Sequence, residues 1–180
     1  MLVIFEGARN SGKTHLAQIA AEHNNIPLYK FEFVKWFNSL DLKDDSRESH
    51  LFALGKELQL LQANRDGILS PIILDRGFLT VLVWGVLSKR IDFEEAIQEL
   101  DQIVSQGLLE NCKVYYIHGD NPNKSDRNKD NWDFRDNTSD EKYLYQKFIT
   151  HLLENYPNFD NFSIHSFENK FDETSIIREI

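Results

Sequence analysis

Short apolar runs alternate with longer segments of helical period along this chain. Leu2 to Phe5 is β-branched and aromatic, is closed by Glu6 and Gly7, and predicts a buried strand. Thr14 to Glu22 predicts a helix that stops near Asn24 and Asn25. Tyr29 to Phe33 alternates with period two and predicts a second strand. Leu51, Leu54, Leu58 and Leu61 mark one face of a helix from Ser46 to about Arg65, stopped by Asp66 and Gly67. Pro71 to Asp75 reads as a third buried strand. Phe78 to Leu87 is apolar nearly all round, as a short helix buried against a sheet must be. Phe93, Ile97, Leu100 and Val104 outline a further amphipathic helix, and Lys113 to Ile117 a fourth strand. Ser139 to Asn155 is helical in pattern, with Thr138 and Glu141 spaced as a capping box at its start. Phe162 to His165 is the last strand. Strands alternating with helices predict an α/β fold with a largely parallel sheet, in a single domain over 1–180.

One stretch breaks the pattern. Residues 119–138 lack periodicity and are dense in Asp, Asn, Lys and Arg, and loops of such length are usually functional or disordered. The region carries Lys124, Arg127, Lys129 and Arg135, cations suited to a mobile flap that neutralises negative charge. It also holds five Asp residues, so a solvated surface loop is the competing reading.

Charge and composition narrow the classes. Lys and Arg number 20 against 29 Asp and Glu, a formal net charge of −9, which disfavours broad binding to nucleic acid. The one cysteine, Cys112, forms neither an internal disulfide nor a thiolate cluster, which suits a reduced, cytoplasmic setting. No run approaches the roughly 20 apolar residues needed to span a bilayer, and the first residues lack a signal-peptide pattern. No membrane partner is expected; a second copy of the chain, as a homodimer, is a candidate partner.

The sharpest chemistry lies in Gly7 to Thr14, a G-x-x-x-x-G-K-[ST] match placed between a predicted strand and a predicted helix. Glycines let the backbone wrap an anion, and the helix start directs N–H groups and a positive dipole end at it. Gly7, Asn10, Ser11, Gly12, Lys13, Thr14 and His15 are therefore candidate ATP-binding residues, with Lys13 on the transferring phosphates and Thr14 on Mg²⁺. The third strand ends in Asp75 and Arg76, and ligands gather at the carboxyl ends of parallel strands. Asp75 is the second candidate magnesium residue, and Arg76 a clamp for a substrate phosphate or the phosphoryl group in transfer. A strand-end ion pair is the plainer alternative for Arg76.

In order and spacing these segments resemble the thymidylate kinase branch of the P-loop nucleoside and nucleotide kinases. Leu2 to Thr14 is similar to that family's opening strand and phosphate loop, Leu51 to Lys56 to its LFAADR segment, and Gly67 to Arg76 to its glycine-led strand ending in Asp-Arg. Asp75 to Thr80, with Val83 to Gly85 after it, tracks the family's DRYxxSxxAYQG. The resemblance implies a P-loop NTPase fold with about five parallel strands flanked by helices, a lid loop near 119–138, ATP and Mg²⁺ as cofactors, and a nucleotide or nucleoside acceptor. Carried over by position, Arg76 contacts the acceptor phosphate, Lys56 stands for an acceptor-binding arginine, Phe52 lies near the base, Trp84 is a candidate substrate-binding residue, and Arg127 is the lid arginine. The family's loop acid is replaced by Arg9 or Asn10, which makes Arg9 a candidate acceptor contact, and the DRY tyrosine is Gly77.

Glu32 to Trp36 is loosely similar to a stretch of deoxynucleoside kinases in which the acid deprotonates a sugar hydroxyl and the tryptophan lines the base pocket. A strand-end Glu32 and a core Trp36 are the plainer alternative. The leading expectation is a nucleoside monophosphate kinase for a pyrimidine deoxynucleotide. The alternatives are a nucleoside kinase, a kinase of polynucleotide or modified base in DNA, and a nucleotide-binding regulatory module.

Overall fold

The computed structural model describes residues 1–31, 37–40, 46–119, 138–157, 162–166 and 170–180. Five strands, β1 (Leu2–Glu6), β2 (Leu28–Lys30), β3 (Ile72–Asp75), β4 (Cys112–His118) and β5 (Phe162–Ser166), form one parallel sheet in the order β2-β3-β1-β4-β5. Six helices are described: α1 (Lys13–Asn24), α2 (Arg47–Arg65), α3 (Phe78–Leu87), α4 (Phe93–Ser105), α5 (Thr138–Asn155) and α6 (Lys170–Glu179). The central strand is β1, and the chain changes sides of it between β3 and β4. Ligands of open parallel sheets gather outside the strands' carboxyl ends at such a reversal.

Period two divides the core. Leu2 and Ile4 of β1, Leu74 of β3, and Val114 and Tyr116 of β4 point to one face and pack with residues of α2, α3, α4 and α5. Val3, Phe5, Ile73, Tyr115 and Ile117 point to the other face, under Leu16, Ala17 and Ala20 of α1 and Ile176 of α6. With both faces covered, the strands read as continuous apolar runs, and β1 is buried from end to end.

Three details depart from the pattern reading. The second strand begins at Leu28 and ends at Lys30, ahead of Phe31, while residues 32 and 33 lie outside the described set. The buried seam of α2 is rotated: Leu51 is half exposed, whereas Ala53, Leu54 and Leu61 are buried together with His50, Glu57 and Asn64, spaced by seven. Helix α6 has no counterpart in the pattern. Its mixed-charge sequence is held by tertiary contacts, with Ile176 buried against α1 and Asn24 Nδ2 donating to the Ile177 carbonyl at 3.2 Å.

The start of α3 shows how sheet and site are joined. Its N-cap, Gly77, has no side chain to offer. Glu6, at the end of β1, takes that role: its Oε1 accepts from Leu79 N at 3.0 Å and Thr80 N at 3.4 Å, and its Oε2 from Thr80 Oγ1 at 2.6 Å. The Tyr145 hydroxyl, 2.7 Å from Thr80 Oγ1, brings α5 into the same network. A Cβ at Gly77 would lie 2.6 Å from Ile4 Cγ2 and 3.2 Å from Glu6 Oε1. Gly77→Ala should therefore cost about 1–3 kcal/mol by overpacking, measurable as a lowered denaturation midpoint; an unchanged midpoint would show that Ile4 and Glu6 yield freely.

Candidate active site

β1 delivers the chain into its loop through backbone shapes that few side chains tolerate. Gly7, Asn10 and Gly12 have φ of 147°, 63° and 91°. A Cβ at Gly7 would stand 2.3 Å from the Ile117 carbonyl oxygen, so only glycine lets the loop run this close to β4. α1 then starts with no side-chain cap and no acidic residue in its first turn, which leaves its N–H groups and dipole to face the loop. Ser11 Oγ is buried and lacks a hydrogen-bond partner among the described residues. Asn10, Thr14 and His15 are exposed.

Lys13 is 3% exposed, with Nζ donating to the Ala8 carbonyl at 3.2 Å. Burial and then the Arg76 guanidinium push its ammonium down to about 7, against the pull of Asp75, Glu141 and Glu6. Asp75 pairs in register with Phe5, and Arg76 N donates to the Phe5 carbonyl at 2.9 Å, which brings the end of β3 beside the start of the loop. Asp75 Oδ1 is buried with no hydrogen-bond partner among the described residues. Arg76 has a left-handed φ of 83°, a strained backbone for a side-chain-bearing residue, of the kind that clusters at functional sites.

The sequence reading missed the residue that ties these groups together. Glu141, on the first turn of α5, turns its buried carboxylate to the loop. Oε2 accepts from Arg9 N at 3.2 Å and lies 3.8 Å from Arg9 Nε, and Oε1 lies 3.9 Å from Arg76 Nη1. The Arg9 guanidinium stacks over the Trp84 ring at 4.5 Å. Burial lowers the pKa of Arg9; Glu141 opposes this and Arg76 adds to it. The signal available in the sequence was an acid immediately after the cation-rich segment, but its partners lie 132 and 65 positions away, beyond any local pattern.

Of the residues singled out from sequence, the structure thus gathers Lys13, Asp75, Arg76, Arg9 and Trp84. Phe52 and Lys56 contact each other, the ammonium 5.5 Å from the ring centroid, and line a cavity of about 580 Å³ with Tyr29, Leu40 and Ile72. That cavity runs along the β2–β3 side of the sheet. Glu32, Trp36 and Arg127 lie outside the described residues.

The loop's left-handed glycines, Ser11 Oγ and the orphaned Asp75 oxygen are what a polyphosphate and its Mg²⁺ require of a site. No helix among the described residues is long and apolar enough to cross a membrane.

With this geometry in place, the fold is that of the P-loop nucleoside and nucleotide kinases, thymidylate kinase-like in its tertiary structure. Thymidylate kinase from Ehrlichia chaffeensis superposes with a TM-score of 0.63 at 15% identity, covering 99% of this chain and 97% of that one. Deoxyadenosine kinase from M. mycoides, solved with dCMP and a flexible dCDP, gives 0.60 at 14% identity over 99% and 97%. The YorR protein from Bacillus subtilis, in complex with phosphorylated GDP, gives 0.60 at 16% identity over 99% and 92%. No protein-family model and no curated protein matches the sequence.

Proposed function

We propose that this protein is an ATP-dependent kinase that phosphorylates a nucleoside monophosphate, in the manner of a thymidylate kinase. The observation that carries this reading is the convergence of a buried Lys13, Asp75 and the arginines Arg76 and Arg9 at the carboxyl ends of β1 and β3. Two guanidinium groups beside the lysine suit a second anionic reactant.

Gly7, Asn10, Ser11, Gly12, Lys13, Thr14 and His15 would hold the donor's phosphates, and Thr14 with Asp75 the magnesium. Bound there, Mg²⁺–ATP supplies a transferable phosphoryl group. Lys13 then places a fixed positive charge where the transferring group gathers negative charge, and Arg76 orients the acceptor and offsets its repulsion from the donor. No covalent intermediate on the protein is required.

A coupled ADP-release assay with a panel of nucleosides, deoxynucleoside monophosphates and DNA ends tests the assignment. Turnover of a monophosphate, a pyrimidine deoxynucleotide first, is expected; turnover of none would remove it. The likeness to a deoxyadenosine kinase favours a second reading, phosphorylation of a deoxynucleoside with Glu32 as base and Trp36 at the base. It requires turnover of unphosphorylated nucleosides and its loss in Glu32→Gln.

A further inference from the structure

Phe5 and Glu6, the last two residues of β1, hold the chain on both sides of Arg76. Ahead of it, the Arg76 N–H donates to the Phe5 carbonyl at 2.9 Å. Beyond it, Glu6 Oε1 accepts from Leu79 N at 3.0 Å and Thr80 N at 3.4 Å. Between these anchors stand the left-handed backbone of Arg76, with φ of 83°, and Gly77, where a Cβ would lie 3.2 Å from Glu6 Oε1. Such a backbone lasts only where its surroundings over-determine it. The aim of the guanidinium is therefore set from behind, by β1.

The Glu6 anchor is itself held. Its Oε2 lies 2.6 Å from Thr80 Oγ1, which lies 2.7 Å from the Tyr145 hydroxyl. An ionised Glu6 only accepts, so Thr80 donates to Glu6 and accepts from Tyr145. The hydroxyls thus run in one direction, from α5 through α3 to β1. All three side chains are buried, where bonds to a charge are strongest. Burial favours the neutral form of Glu6; the bonds from Thr80, the Arg76 charge and the bond from Leu79 oppose this. The other ionisable groups around Glu6 are Lys13 at the start of α1, Glu57 on α2, Tyr116 in register on β4, and Tyr145 on α5 with Glu141 beyond it.

We propose that Glu6 is a positioning residue for Arg76, and that Thr80 and Tyr145 hold its carboxylate through a hydroxyl relay from α5. The inference rests on the monophosphate reading above, in which Arg76 meets the acceptor, and adds the residues that aim it. When the relay is cut, the strained turn relaxes and the guanidinium shifts. Acceptor binding suffers, while the donor's loop keeps its own backbone.

Two measurements on the full chain test this: KM for the acceptor monophosphate and for ATP, and magnetic resonance of the residue 79 and 80 amides and Arg76 Nε–H between about pH 5.5 and 9. Thr80→Ala should raise the acceptor KM about tenfold and Tyr145→Phe about threefold, with the ATP KM changed less than about twofold. Thr80→Ser, which keeps the hydroxyl, should stay near the parent. In the parent, the two amides report the ionisation of Glu6 with a midpoint of about 7, and Arg76 Nε–H should move with them. Tyr145→Phe withdraws a donor that favours the ionised form, so both midpoints should rise together by about 0.5–1 pH unit. A merely structural Tyr145 would lower the denaturation temperature and move neither the acceptor KM nor the Arg76 midpoint. An Arg76 resonance that ignores the step at residues 79 and 80, or an acceptor KM unmoved in both Thr80→Ala and Tyr145→Phe, overturns the inference and leaves the kinase assignment standing. Should no monophosphate be turned over, the monophosphate reading falls, and the Arg76 resonance alone decides the positioning.

Discussion

Lys13→Ala lowers the rate of phosphoryl transfer about 10²–10³-fold while the folded protein remains at least as stable as the parent. The two halves of this expectation share one cause. Lys13 is enclosed at the mouth of α1, where its ammonium donates to a neutral carbonyl, that of Ala8. A charge held this way is poorly solvated, which is why its pKa drops from the free value of 10.5 to about 7. The folded state therefore binds fewer protons at this site than the unfolded chain between pH 7 and 10.5. Stability from this group rises with pH across that window, and below pH 7 the full penalty of burying the ammonium is present. Lys13→Met, which keeps the length and drops the charge, should gain roughly 1–4 kcal/mol at pH 6. Donor phosphates reverse the balance, because they stabilise the ammonium. ATP affinity should accordingly weaken as pH climbs above about 7, with proton uptake on binding visible in calorimetry in buffers of different ionisation enthalpy. Unchanged turnover in Lys13→Ala would mean that the polyphosphate lies elsewhere.

Glu57→Leu is expected to raise stability at pH 8 by about 1–4 kcal/mol. Both carboxylate oxygens of Glu57 are buried and lack hydrogen-bond partners among the described residues, and burial, helped by Glu6, pushes its pKa well above the usual carboxylate range. Its neighbours on the same seam are better served: His50 Nε2 lies 2.9 Å from Glu99 Oε2, and Asn64 Nδ2 donates to the Glu110 carbonyl at 3.2 Å. Glu6 behaves like Glu57 to a lesser degree. Burial raises it to about 7, while its bonds from Thr80 and Leu79 and the Arg76 charge hold it down. For both acids the folded state holds its proton longer than the unfolded chain. Stability from Glu6 is complete below about pH 4.5 and is lost as pH rises toward and through 7, and Glu57 acts in the same direction. The Glu6 shift alone corresponds to about 3 kcal/mol. Glu57→Gln should flatten the fall in stability between pH 5 and 8, and denaturation midpoints across that range measure it. A fall as steep as the parent's would show that Glu57 contributes nothing to it.

The contrast between Lys13 and Glu141 shows how far the sequence could be read. The proposed phosphate loop is a contiguous device: its glycines, its lysine and the helix it opens stand within eight positions, and their placement follows from local backbone shape. The placement of Asp75 and Arg76 beside the loop was legible for a related reason, because a parallel strand fixes which of its ends faces the crevice where ligands of such sheets gather. Glu141, Glu6 and Glu57 carried no such mark. Glu141 reads locally as a capping residue, Glu6 as the residue closing a strand, and Glu57 as one polar position among several on a helix.

Alternating apolar runs determined the α/β class, the number of strands, most of the helices and the place of the phosphate loop, since each depends on periodicity or on neighbours along the chain. Tertiary structure decided which face of α2 is buried, that α6 exists, and that one carboxylate from α5 meets Arg9 and Arg76. Those outcomes depend on charge and volume meeting across the sheet, between residues that only the completed fold makes neighbours.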